Sequence, residues 1–160
     1  MEQSMRRFMK VGLVLHAAYR GLGDGGGPIL ECLGKVVQDD YFDAVEVAHI
    51  HDPDVRRAAA GLIRTGHMVS AYGGQGRTLS AGLNLNDLDE GGRQKAVDTL
   101  KEGIDEAYEL GCAGFSFLSG RYCEETKEQS FCQLIKSTRE LCAHARDKGD
   151  MPICCEVFDY

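Results

Sequence analysis

Two glutamates occupy positions where acid–base or metal chemistry would need them. Glu156 lies inside the apolar run Ile153-Cys154-Cys155-Glu156-Val157-Phe158, and Glu46 lies inside Ala44-Val45-Glu46-Val47. A carboxylate buried in such a run is costly unless it is paired, protonated or metal-bound. Glu156 therefore reads either as a metal or catalytic group or as one half of a structural ion pair. Strand alternation sets Glu46 with Ala44 and Ala48, opposite Val45 and Val47, so it is expected to point away from any covering helices. There it could serve in proton transfer, orient a hydroxyl, or hold a neighbouring cation. His16, His49 and His51 come at or just after two apolar runs. A neutral imidazole at such a point could ligate a metal, polarise a carbonyl or simply cap a loop. Arg20, Arg77 and Arg121 follow three different apolar runs. A guanidinium is suited to gripping a phosphate or carboxylate with two parallel bonds. Tyr72, Gln75 and Ser119 are polar groups at the ends of such runs that could complete a pocket. His67 and His144 fall away from this set and read as structural.

The elements that must position these residues alternate along the chain. Strands are predicted over Lys10 to Leu15, Ala44 to Ile50, Met68 to Tyr72 and Gly114 to Leu118, with a fifth opened by Pro152. Helices are predicted from Pro28, from Asp52-Pro53 to a stop at Gly66, from Asp89 to Leu110, and from Lys127 to Lys148. Asp52 and Asp89 are N-caps, and Pro is favoured in a first turn. The last helix is expected to bury Phe131, Leu134, Ile135, Thr138, Leu141, Cys142 and Ala145. Gly73 to Asp87 reads as a long loop. Strict alternation implies parallel strands joined by right-handed crossovers. Two architectures satisfy it, an open doubly wound sheet or part of a (β/α)8 barrel. In either, the strand ends that carry the candidate residues are where sites form.

Composition excludes several classes. A formal net charge of −7 argues against a nucleic-acid groove, which needs clustered Lys and Arg. No run approaches the roughly 18 apolar residues of a membrane helix. Arg6-Arg7 before Val11 to Leu15 only faintly mimics a signal peptide, and the apolar run is too short for one. The seven cysteines are odd in number and lack any C-x-x-C pair. They read as small buried hydrophobes in a reducing, cytoplasmic setting. Gly21-x-Gly23-x-x-Gly26 outlines a dinucleotide fingerprint, with Glu46 following. Five residues separate it from the strand, and Pro28 starts the helix too late, so the fit is poor and a loop over the site is preferred.

Several segments together resemble the xylose isomerase-like TIM-barrel family, in its sugar phosphate isomerase and epimerase branch. They are Lys10-Val11-Gly12-Leu13, Tyr41-Phe42-Asp43-Ala44-Val45-Glu46, Ala71-Tyr72-Gly73-Gly74-Gln75, Leu83-Asn84-Leu85-Asn86, Asp105-Glu106-Ala107 with Gly111, Phe117-Leu118-Ser119-Gly120 and Glu156-Val157-Phe158-Asp159. The resemblance implies an α/β fold: one domain over residues 1–160, a partial (β/α)8 TIM barrel of five parallel strands and four helices, truncated after strand five. It implies a divalent metal, Mg²⁺, Mn²⁺ or Zn²⁺, in the intact protein, with Glu156 matching the strand-five ligand and other ligands coming from later strands. It also implies isomerisation or epimerisation of a sugar or sugar phosphate. On this reading Glu46 and His51 are catalytic, and His16, Arg20, Tyr72, Gln75, Ser119 and Arg121 bind substrate. A metal-dependent endonuclease on abasic DNA uses the same fold, and a non-catalytic fragment is the third reading. Neither nucleic acid nor membrane is an expected partner; self-association through open sheet edges is.

Overall fold

The computed structural model describes residues 5–156, so Val157 and Phe158 of the predicted fifth strand lie outside the described residues. Five parallel strands form one sheet in chain order: β1 (Gly12–Val14), β2 (Ala44–Val47), β3 (Val69–Gly73), β4 (Phe115–Leu118) and β5 (Ile153–Glu156). An order without reversal is the winding of a (β/α)8 barrel, whereas a doubly wound sheet reverses at a switch point. The two sheet faces differ accordingly. Val45, Val47, Ser70, Tyr72, Phe115 and Phe117 are buried on the helix side. Val14, Glu46 and Ala71 stand in register on the other side, and none of them is buried.

Six helices accompany the strands: α1 (Leu15–Ala18), α2 (Ile29–Val37), α3 (Pro53–Thr65), α4 (Gln75–Ser80), α5 (Glu90–Leu110) and α6 (Lys127–Arg146). The four long ones are those the periodicity predicts; α1 and α4 are additions. Asp52 caps α3 by accepting from the Asp54 amide at 2.8 Å, and Asp89 caps α5 by accepting from the Gly92 amide at 2.8 Å. Gly111, at φ 72, ends α5 in the left-handed conformation that glycine adopts freely. At the end of α3 the left-handed residue is His67, at φ 54, rather than Gly66.

Four expectations need correcting. β1 and β2 are shorter than their apolar runs, because Leu15 turns into α1 and Ala48 to Ile50 leave the ladder. Gly73 to Asp87 is not all loop, since it contains α4. The buried stripe of α6 is Ser130, Ser137, Leu141 and Ala145, while Phe131 is 57% exposed and Ile135 36%. Ser137 can be buried because its hydroxyl donates to the Leu85 carbonyl at 2.6 Å and accepts from Arg93 at 3.0 Å. Of the seven cysteines, all free, only Cys32 and Cys112 are buried.

Candidate functional site

Glu46 and Glu156 both come from strands, so the ladder fixes their heights. Glu46 pairs with Val14 on one side and Ala71 on the other. Glu156 pairs with Leu118 at the far edge, and its carbonyl accepts from the Ser119 amide at 3.1 Å. Glu46 is partly buried on the face the helices do not cover. Burial raises its pKa above the ordinary carboxyl value; the charge of Glu156 acts in the same direction, and His16 opposes it. The two carboxylates and His16 therefore share one electrostatic environment.

Gly73 makes the meeting of side chains on this face possible. A Cβ added there would stand 2.6 Å from Glu46 Oε1 and 2.8 Å from Gln75 Oε1. Without one, Glu46 and Gln75 converge over the end of β3. Gln75 is held in place by donating from Nε2 to Ser116 Oγ at 2.9 Å. Beside this group lies a cleft of about 290 Å³, lined among others by His16, His49, Gly73, Arg77 and Leu22. The mouth thus combines a carboxyl held toward its neutral form, a second carboxylate, an amide and imidazoles. That set suits moving a proton on a small polar molecule.

The structure separates other expected residues from this group. Tyr72 is a correction: strand alternation sends it to the helix side, where it is 0% exposed and stacks on Phe115 at 5.4 Å between centroids. Its hydroxyl donates to Glu106 at 2.8 Å, and burial, with the Glu106 charge next, pushes its pKa far up. Tyr72 is therefore a buried strut and not a lining residue. Arg77 lines the cleft but its guanidinium is committed, donating to Glu102 at 2.6 Å and Glu106 at 3.1 Å. Arg20 is exposed in the loop after α1. Arg121 lines a different cavity of about 190 Å³, and its backbone is clamped by Asn84 through bonds of 2.8 and 3.0 Å. Ser119 is partly buried at the end of β4. His144 bonds Asp105 at 2.6 Å between α6 and α5, which is a structural role.

Sequence reasoning passed over Glu106. It lies on α5 and is 8% exposed. It gathers Tyr72, Arg77 and His49, whose Nδ1 stands 2.8 Å from Oε1, and Arg56 lies 3.4 Å away. A glutamate set among the buried helix residues Leu100, Gly103, Ile104, Ala107 and Leu110 was the available signal. The glycine-rich loop is also better anchored than expected. Gly25, at φ 79, packs so close to His49 that a Cβ would stand 2.8 Å from the ring, and its carbonyl accepts from the His51 amide at 2.9 Å.

Comparison with known proteins agrees with the fold. The sequence profile of the family described as xylose isomerase-like TIM barrel matches residues 35–159. In fold the chain is similar to a D-tagatose 3-epimerase-like protein, with a TM-score of 0.71 and 18% identity, over 93% of this chain and 52% of that one. It is similar to D-psicose 3-epimerase from Clostridium cellulolyticum H10, solved with D-tagatose (TM-score 0.74, 18% identity, 94% and 53% of the two chains). It is also similar to AP endonuclease, family 2, from Brucella melitensis (0.62, 15%, 92% and 53%). The chain spans about half the length of these solved relatives. Identities this low show the fold alone. No curated protein matches the sequence significantly.

Proposed function

The chain belongs to the xylose isomerase-like TIM-barrel family, and from that membership we propose that its mouth takes a small sugar or sugar phosphate and moves a proton between or at adjacent carbons, as an isomerase or epimerase does. The observation that carries the reading is Glu46. It is a carboxyl partly withdrawn from water, with a raised pKa, on the open face of the sheet beside the cleft. Such a group suits both removing and returning a proton. In its ionised form Glu46 takes the proton from the carbon next to the sugar carbonyl. The electron pair left behind moves onto the carbonyl oxygen, giving an enediolate-like species. Glu46 then returns the proton to the neighbouring carbon, or solvent supplies a proton to the opposite face of the same carbon and Glu46 gives its own back to solvent. Gln75 orients a hydroxyl, His16 contacts the sugar, and His51 exchanges protons with solvent.

A divalent ion, Mg²⁺, Mn²⁺ or Zn²⁺, would polarise the carbonyl when bound. Glu156 is the ligand this chain offers. Among the described residues no group of three or more His, Cys, Asp or Glu could hold such an ion. The described residues therefore do not fit a complete metal site. Any such ion would draw its other ligands from outside the described residues.

The net charge of −7 weighs against a nucleic-acid partner. No helix among the described residues is long and apolar enough to cross a membrane. Seven free cysteines support a reducing, cytoplasmic setting, and the exposed strand edges support self-association. Proton exchange in D2O tests the proposed chemistry. The chain is incubated with Mn²⁺ and a panel of ketopentoses, ketohexoses and their phosphates, and carbon-bound deuterium is followed by NMR. Deuterium should enter beside the carbonyl of one substrate and be lost with Glu46→Gln. Exchange that survives this substitution would remove Glu46 from the chemistry. Absence of exchange and of saturation-transfer signals from every sugar would remove the sugar reading.

A further inference from the structure

The loop after β2 carries a chain of ring-to-ring hydrogen bonds that the chemistry above leaves unexplained. His49 Nδ1 stands 2.8 and 2.9 Å from the two oxygens of Glu106. His49 Nε2 stands 3.0 Å from His51 Nδ1. The rings meet edge to face with centroids 4.5 Å apart. His51 is exposed, so the chain runs from the protein interior to solvent beside the cleft that His49 lines.

The partners of Glu106 decide which nitrogen carries each proton. Tyr72 donates its hydroxyl to Oε2 at 2.8 Å, and Arg77 donates to Oε1 at 3.1 Å. Arg56 lies 3.4 Å from Oε1. A carboxylate encircled in this way has only lone pairs to offer, so His49 must donate from Nδ1. A neutral imidazole carries one N–H, which leaves His49 Nε2 as an acceptor. His51 must then donate from Nδ1, and its own Nε2 is left with a bare lone pair. We propose that Glu106 is a positioning residue that sets both histidines in the Nδ1–H form, so that His51 presents Nε2 at the rim as a proton acceptor.

The arrangement extends the carboxylate–imidazole pair of acyl-transfer enzymes by one ring. When His51 Nε2 takes a proton, the Nδ1 proton can pass to His49 Nε2, and the single added charge is shared over two rings facing Glu106. Arg77 and Arg56 both stand against Glu106. Gly25 lies against the carbon edge of the His49 ring, where an added Cβ would stand 2.8 Å from Cδ2. The exchange role given to His51 rests on the sugar reading, but the tautomers do not.

Long-range proton–nitrogen correlation NMR on the ligand-free full chain tests the proposal. Spectra are taken at about pH 8, above the ordinary imidazole pKa. His51→Gln, a substitution at an exposed position, assigns the two rings. Both rings should show protonated Nδ1 and unprotonated Nε2, and His49 should keep that pattern in His51→Gln. In Glu106→Gln the bias should fall, with Nε2–H signals emerging at His49. A wild-type spectrum with Nε2–H at either ring overturns the proposal without any variant. So does a His49 pattern unmoved by a folded Glu106→Gln. Because no sugar is present, these outcomes are independent of the deuterium-exchange result.

Discussion

Glu46 sets stability and activity against each other. The fold binds its proton more tightly than the unfolded chain does, since its pKa is raised by burial and then by Glu156. The sign follows: the contribution of this carboxyl to stability is full at low pH and is lost as pH rises through the raised pKa. Glu46→Gln should therefore melt higher than wild type near neutral pH, and the gap should close as pH falls toward the ordinary carboxyl range. The same substitution should lower turnover by about 10²–10⁴-fold, the usual contribution of a general base. Melting curves across pH and the exchange rate check the two halves separately. The candidate carboxylates were legible because a charge within an apolar strand run stands out. Tyr72 was misplaced because the parity of a short strand depends on where pairing starts, and its ring is in phase with Ser70. Arg77 was legible as a loop cation but not as a partner of Glu102 and Glu106, which lie 25 and 29 residues along the chain. Long-range pairing of this kind leaves no local mark.

At the level of elements, α5 and α6 are joined through one buried cation. Arg93 is 1% exposed and bonds Glu90 at 2.8 Å, Ser137 at 3.0 Å and Glu140 at 2.9 Å. Arg93→Met should cost about 3 kcal/mol, toward the low end for breaking a buried pair because both glutamates keep contact with water. Urea unfolding followed by circular dichroism reads that loss. Gly73→Ala should spare the fold more than the site, since the added methyl would meet the ends of Glu46 and Gln75. Its expected result is a near-normal far-ultraviolet spectrum with exchange reduced as far as in Glu46→Gln. The long helices were legible from period and caps. The short α4 was not, because Gly76 and the surrounding glycines and asparagines read as loop. Packing against α5, with Thr78 buried, is what holds it helical. The α6 stripe was read rightly at Leu141 and Ala145, but Phe131 and Ile135 were expected inside in place of Ser130 and Ser137, because hydropathy ranks them higher. Hydrogen bonding inverted that rank at Ser137.

Across the whole molecule, the described residues form a sheet with one covered face and two edges. Among the described residues β1 pairs only with β2, and β5 only with β4. Unpaired backbone at a parallel edge is a template for another chain. Phe131 and Ile135 add apolar surface on the outside of α6. The 160-residue chain should accordingly run as a dimer or larger species in size-exclusion chromatography with light scattering. A single sharp monomer peak at high concentration would count against edge pairing. Abasic duplex DNA should not be retained in a gel shift at physiological salt, given the net charge of −7. The winding of the fold was legible from the alternation of elements, while its barrel character needed the resemblance as well. One further property follows from β5. Cys154 stands in register with Ser116 on the open face, and Cys155 with Phe117 on the helix side. Both are exposed, and burial followed by the Glu156 charge pushes the Cys155 thiol above its ordinary pKa, which slows its alkylation. Two adjacent thiols thus sample opposite sides of one strand. In a time course read by mass spectrometry, whichever of them stops labelling on assembly names the side that has been covered.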